Sequence, residues 1–454
     1  GNCSDGQGHW VCCRWNSVAW RAVSLTNSFS VGNADCDPCG YPCVPYFGSC
    51  YGPTACDDPP PGYEFKPEVA APGTEIYTAT TNGGYIFSTG TSEAAPHVAG
   101  VIALMRQANP EIDVDTMLEI LMQSATDISP AGEDNASGWG LIDAEQAVLL
   151  AQRHITVRPD GTGQYPTIQA AINAAQDGWT IHLANGSFSS SGNDDIDFLG
   201  KAIVVRSLGG PDFCVISAAR PQVSGFVFTH QEGHGSVLEG VTMVGFAGRD
   251  SGHPLNGAIS IHASSPTIRN CVFRHNFNAV NTDGGVAAIF ENCTFTDNYD
   301  DSMGWGSAAH FEETDCEMRD CVIESNRSGP GPVSPSIVSQ YGTLRLTRCR
   351  FRENGGIYTG WSGGAIEVYG NLIATDCVFE ENLAYAGGAI GWYSDPGTAL
   401  TLTRCTFDHN SCVAGGSAIA AWGNSGGGVA SLDNCILSFG SPAVAAFVCA
   451  NMAS

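Results

Sequence analysis

Residues 270–276 read NCVFRHN, and close copies follow: NCTFTDN at 292–298, DCVIESN at 320–326, RCRFREN at 348–354, DCVFEEN at 376–382 and RCTFDHN at 404–410. A degraded copy, NCILSFG, occupies 434–440, and GVTMVGF at 240–246 is an upstream unit without its cysteine. The cysteines 271, 293, 321, 349, 377, 405 and 435 are spaced by 22, 28, 28, 28, 28 and 30 residues. A fixed period of this size marks a solenoid, in which each unit is one coil that cannot bury its apolar face alone. Within a unit the residues alternate, with Cys271 and Phe273 on one side and Val272 and Arg274 on the other, as in a strand. Stacking coils at ~4.8 Å then buries a column of cysteines and aromatic rings. Six of the seven units carry Asn five residues after the Cys. Asn tolerates the left-handed backbone of a sharp corner, and stacked amides can bond along the column. The pairs Gly363-Gly364, Gly387-Gly388 and Gly415-Gly416 predict further corners.

This repeat resembles the right-handed parallel β-helix of the pectin-lyase-like proteins over about 155–449. The opening of the region, ITVRPDGTGQYPTIQAAI at 155–172, is similar to that of pectin methylesterases. It predicts one strand and then an amphipathic helix over Thr167–Ala175 that caps the open end. The Gln–Asp–Asp–Arg constellation of the esterases is not found. Asp194, Asp195 and Asp197 read as solvated loop charges. Trp305, Trp361, Trp392, Tyr358 and Tyr385 are candidates for sugar stacking if exposed, with core or turn packing as the alternative. The stacked cysteines read as small buried hydrophobes; disulfides or metal ligation are the alternatives, since adjacent coils are close enough to bridge.

Upstream of the repeat the composition changes. Residues 1–65 are rich in Cys, Gly and Pro and predict loops and short strands. Helices are expected over Ser92–Ala108, Asp113–Ala125 and Leu141–Gln152. The second should set Val114, Met117, Leu118, Leu121 and Met122 on one face. The helical signal fades near 152–155, which places the boundary between 1–152 and 153–454.

The stretch FSTGTSEAAPHVAG at 87–100 carries the clearest chemistry. A serine at the start of a helix, after a small glycine, has backbone donors and a partial positive charge beside its hydroxyl. Such groups stabilise the oxyanion formed when the hydroxyl attacks a carbonyl. The stretch resembles the nucleophile motif G-T-S-x-A-x-P-H-V-A-G of the subtilisin-like serine proteases. Lys66–Gly73 (KPEVAAPG), Phe47–Thr54, Ser30–Asp35 (SVGNAD) and Gly138–Ala144 (GWGLIDA) resemble that family's flanking segments in the same order. The resemblance covers about 1–150 and implies Ser92 as nucleophile and Asn2 as oxyanion donor. It also implies that the catalytic Asp and His lie upstream of Gly1, so the 454-residue chain alone would be inactive. His97 corresponds to a structural histidine of the family, and His9 matches no catalytic motif. Glu93 departs from the family, which has an apolar residue there. The resemblance allows calcium but indicates no site, and no other cofactor is evident.

The balance of 19 Lys and Arg against 46 Asp and Glu gives a net charge of −27. A phosphate backbone would be repelled, so nucleic acid is not expected as a partner. No apolar run reaches the ~18–20 residues of a membrane span. The chain starts at Gly1, which reads as a truncation or processing point, so the missing signal peptide says nothing about compartment. Eight cysteines, 3, 12, 13, 36, 39, 43, 50 and 56, lie in the first 56 residues. Their density predicts disulfides and an oxidising compartment; a zinc site using Cys36 and Cys39 is the alternative.

The sequence therefore predicts a multidomain chain, a partial α/β subtilisin-like domain followed by an all-β right-handed parallel β-helix. The expected function is serine endopeptidase action on a peptide or protein, with the β-helix as an accessory module for a polysaccharide or cell surface. The expected location is secreted or at the cell surface. The alternatives are a polysaccharide-active or carbohydrate-binding β-helix protein, or a non-enzymatic adhesion protein with a protease remnant.

Overall fold

The computed structural model describes residues 29–36, 43–46, 49, 67–128, 131–220, 223–247, 257–285, 287–300, 306–326, 335–356, 363–423, 427–438 and 447–451. The chain divides into two compact units, Gly1–His154 and Ile155–Ser454.

In the first unit, β1 (Val31–Asp35) pairs in parallel with β3 (Val69–Pro72) and antiparallel with β2 (Val44–Pro45). A hairpin follows, β4 (Ile76–Ala79) and β5 (Tyr85–Ser88), and then α1 (Thr91–Ala108). Helix α1 buries Ala94, Val98, Val101 and Met105 at helical spacing, and packs on β1, β3 and α3 (Ala144–Ala151). Helix α2 (Val114–Ser124) starts at Asp113, whose carboxylate accepts from the Thr116 N–H at 2.9 Å. Asp143 caps α3 in the same way through the Gln146 N–H. The buried face of α2 is Met117, Ile120 and Leu121, whereas Val114 is 58% exposed. Val114 is the first residue of the helix, ahead of the turn where packing begins, so the expected face is rotated toward Ile120.

The second unit is a parallel β-solenoid. One face is a sheet of ten parallel strands, in which the units of the repeat lie in register: Phe273 beside Phe295, then Ile323, Phe351, Phe379 and Phe407. All six side chains are buried, and rings 351, 379 and 407 stack with centroids 4.8 Å apart. The cysteines of the repeat from Cys271 to Cys405 are buried free thiols, and Cys435 is half-buried; among the described residues no disulfide joins them. They lie inward as the small-hydrophobe reading expects. Helix α4 (Ile168–Ala174) buries Ile168, Ala171 and Ile172 in the same core as the first strands.

The asparagines bond along the column as expected, but they do not supply the left-handed corners. The left-handed residues are those just before them, His275, Asp297, Ser325, Glu353, Glu381 and His409. A second left-handed corner precedes each Cys, at Asn270, Asn292, Asp320, Arg348, Asp376, Arg404 and Asn434. Asn276, Asn298, Asn326, Asn354, Asn382 and Asn410 are themselves buried to 1% or less and use their amides. From Asn276 to Asn382, each Nδ2 donates to the next Oδ1 along the stack, at 2.9–3.2 Å. Each also donates to a backbone carbonyl of the preceding coil. A buried corner leaves backbone groups unpaired, and the side-chain amide satisfies them. The expected Gly corners do take positive φ, at Gly363, Gly387 and Gly416.

One further expectation is corrected, and for Trp392 the core-packing alternative holds. Asp194 is buried, its carboxylate accepting from Arg220 Nε at 3.2 Å, so it is not a solvated loop charge. Trp392 is 2% exposed in the solenoid core and cannot meet a sugar ring.

Candidate active site

The site is assembled from backbone contacts. Gly73, at the end of β3, accepts from the Gly90 N–H at 2.8 Å, which joins the strand end to the start of α1. A Cβ on Gly73 would lie 2.6 Å from both the Gly90 carbonyl and Asn33 Oδ1, so no larger residue fits this approach. On the other edge of β3, Ala70 donates to Gly140 O and accepts from the Ile142 N–H. The GWGLIDA segment thereby holds the strand from the far side. Gly138 there has φ +65, and a Cβ would lie 2.2 Å from the carbonyls of Pro67 and Glu68.

Ser92 is the second residue of α1 and is exposed. The Gly90 carbonyl accepts from Glu93 N–H at 3.1 Å and Ala94 N–H at 3.3 Å, which closes the first turn behind the serine. The hydroxyl therefore sits at the positive end of an 18-residue helix. Glu93 is half-buried, and its Oε1 accepts from Ser88 Oγ at 2.6 Å. His97 Nδ1 donates to the Glu93 carbonyl at 2.9 Å, so this ring is tied to its own helix. Asn2 and His9 lie outside the described residues.

Asn33, in β1 beneath this junction, is fully buried, and its Nδ2 has no hydrogen-bond partner among the described residues. No sequence motif signals this. Cys36 and Cys43 form a disulfide, so Cys36 is not a thiolate ligand of a zinc site with Cys39. Of the other N-terminal cysteines, 3, 12, 13, 39, 50 and 56 lie outside the described residues.

In the solenoid, Asp197, His230 and Glu232 bring ligand atoms within 4.8 Å of one another. Their hydrogen bonds account for that placement. Glu232 accepts from the N–H groups of Gly200 and His230 and from Ser264 Oγ, stitching neighbouring coils together. On the outward side, Tyr369, Tyr393 and Trp422 form a half-exposed ring ladder, with centroids 4.1 and 5.6 Å apart. Trp305, Tyr358 and Trp361 lie outside the described residues. Among the described residues no helix is long and apolar enough to cross a membrane.

The geometry defines a chain of two kinds: an α/β segment presenting a serine at a helix start, and a parallel β-solenoid. Residues 15–140 match the model of the subtilase family, and 213–373 and 257–437 match that of the right-handed β-helix region. The chain thus joins part of a subtilase domain to a right-handed β-helix. It is 31% identical over 192 residues to bacillopeptidase F of Bacillus subtilis (strain 168), covering 36% of this chain and 13% of that protein. It is 33% identical over 110 residues to an extracellular serine protease of Serratia marcescens, covering 19% of this chain and 10% of that one. The chain therefore spans about a tenth of the length of these relatives. Among solved structures, pectin methylesterase PemA from Erwinia chrysanthemi matches 50% of this chain and 79% of its own at 12% identity and a TM-score of 0.34.

Proposed function

We propose that this chain is part of a secreted endopeptidase in which Ser92 attacks the peptide carbonyl and carries the acyl group. The observation that carries the reading is the exposed Ser92 hydroxyl at the start of α1, held there by the Gly73–Gly90 contact. The helix end stabilises the negative charge that develops on the carbonyl oxygen, and the side-chain amide of Asn2 is assigned the second donor. Among the described residues Ser92 makes no hydrogen bond to an imidazole, because His97 is turned to Glu93 O. The base and the carboxylate that orients it are accordingly assigned upstream of Asn2, where the family's order has them. Extracellular relatives and the Cys36–Cys43 disulfide support secretion.

The test is a serine-directed fluorophosphonate applied to the chain with and without its upstream in-frame sequence. Labelling should map to Ser92 and require the upstream segment. Ser92→Ala should abolish peptidase activity, a loss of about 10⁶ in turnover by the scale of such nucleophiles. Cleavage that survives Ser92→Ala would overturn the assignment.

The β-helix is proposed as an accessory binding module, supported by the outward ladder Tyr369, Tyr393 and Trp422. The rings cover one another's faces, so what they offer a glycan is hydroxyls, ring edges and the outer face of Trp422. A glycan-binding screen with Trp422→Ala checks this, with equal binding by both forms counting against it.

A further inference from the structure

Glu93 sets a carboxylate directly after the nucleophile, where the resembled family has an apolar residue. Ser88 Oγ holds Oε1 at 2.6 Å, which fixes the carboxylate relative to the start of α1. Among the described residues no Lys, Arg or His pairs with Glu93, and Oε2 makes no hydrogen bond. The Glu93 backbone N–H donates to the Gly90 carbonyl, and its own carbonyl accepts from His97 Nδ1. The side chain is half-buried, so it is partly desolvated yet reachable. Residues 1–154 hold 18 Asp and Glu against 5 Lys and Arg, so the surrounding field also favours cations. A carboxylate in a first helical turn suits the helix dipole. That role accounts for the charge, but not for a second oxygen left without a cation beside the reacting serine. The aromatic face of the adjoining hairpin, Tyr77, Tyr85 and Phe87, points to the side opposite Ser88 and takes no part.

We infer that Glu93 is a specificity-determining residue that selects peptides with a Lys or Arg side chain flanking the scissile bond. A substrate cation placed there gains a prefixed, unpaired carboxylate, while an acidic side chain meets repulsion. The inference rests on Ser92 being the nucleophile.

The experiment separates binding from hydrolysis. In the Ser92→Ala form, with its upstream sequence present, labelled peptides differing only in Lys or Glu around one bond are compared by fluorescence anisotropy. The Lys peptide should bind at least about tenfold tighter at low salt, and the gap should shrink as salt rises. Adding Glu93→Gln, which keeps an oxygen for Ser88, should remove most of the difference. With Ser92 intact, kcat/KM for the two peptides should show the same dependence on Glu93. Equal affinities, or a preference that survives Glu93→Gln, overturns the inference. Glu93-dependent binding without Ser92-dependent hydrolysis upholds the cation site and overturns the protease reading instead.

Discussion

Asn326 and Asn354 are 28 residues apart in the chain and one coil apart in space, and Asn326 Nδ2 donates to Asn354 Oδ1 at 3.2 Å. The same oxygen also accepts from the Asn326 backbone N–H at 3.2 Å. One buried carbonyl oxygen thus satisfies a side-chain and a main-chain donor of the preceding coil.

Removing it exposes the consequence. In Asn354→Ala the Asn326 N–H loses its acceptor and the Ile323 carbonyl loses its 2.7 Å donor, both in a buried corner. Each orphaned group costs about 1–3 kcal/mol, so the variant should lose about 3 kcal/mol or more. Urea unfolding of the two forms measures this. A loss below about 1 kcal/mol, the net value of one ordinary hydrogen bond, would show that water replaces the amide.

The aromatic column gives an independent check on packing. Phe379 lies between Phe351 and Phe407 with centroids 4.8 Å away on both sides. Phe379→Ala leaves a cavity that neighbouring coils cannot close without breaking their registered strands. The expected loss is about 3–5 kcal/mol, again read from denaturant unfolding. A near-neutral result would place the ring outside the core.

Why the coil was legible and the corners were not follows from these residues. A 28-residue period with Cys and Phe in phase reports side-chain direction, and strand alternation converts that directly into an inward column. The left-handed corners fall on His275, Asp297, Ser325, Glu353, Glu381 and His409, four polar residue types that are not turn-specific. Position alone selects them, so composition gives no signal, while the invariant Asn beside them serves hydrogen bonding. Near Ser92 the motif predicted a serine at a helix start, and α1 begins at Thr91. The orphaned Asn33 amide and the Ser88–Glu93 contact depend on strand pairing and a hairpin return, which a linear motif does not encode.

Ser339 offers a substitution in the opposite sense. It points inward in the row Phe311, Ser339, Val368, Trp392, and its Oγ is buried without a partner among the described residues. Ser339→Ala removes an unsatisfied hydroxyl and should stabilise the solenoid by about 1 kcal/mol. A shift of the urea midpoint to higher concentration at unchanged slope is the expected result. A clear destabilisation would reveal a hydrogen bond made by that hydroxyl.

His310 links stability to pH. Burial lowers its pKa from 6.5 to about 4, against opposing contributions from the Gln340 side chain and the Asp300 charge. Its Nδ1 lies 3.2 Å from Asn281 Oδ1. The unfolded chain therefore binds a proton at this residue at pH values where the fold does not. Stability is unaffected well above pH 6.5, falls as pH drops from about 6.5 to about 4, and levels off below. The span corresponds to about 3 kcal/mol. His310→Gln should flatten that part of the stability–pH curve while other groups continue to titrate. An unchanged slope between pH 6.5 and 4 in the variant would mean that His310 is protonated in the fold.

The thiol column predicts an order of chemical reactivity. Burial pushes the Cys214 thiol up to about 12 and Cys316 to about 11, and raises Cys293 well above its ordinary value. These thiols stay protonated, whereas hydrogen bonds from neighbouring thiols lower Cys349 to about 4 and Cys405 to about 7. All are buried, and alkylation requires access as well as thiolate, so burial is what protects the column. Cys435, in the last unit of the repeat, is half-buried, with Leu402 O and Asp433 O at 3.5 and 3.4 Å from Sγ. Its thiol is raised too, by burial first, but solvent reaches it. Iodoacetamide added to the native protein should therefore modify Cys435 at least about tenfold faster than Cys271, Cys293, Cys321, Cys349, Cys377 or Cys405. Those six should become reactive together when the solenoid unfolds, since one continuous core covers them. Cys36 and Cys43 should stay unmodified without reductant. Peptide mapping by mass spectrometry over a time course reads all of these at once. Native labelling of Cys349 or Cys377 at the rate of Cys435 would show that the column opens between coils, contrary to the registered strands that hold it.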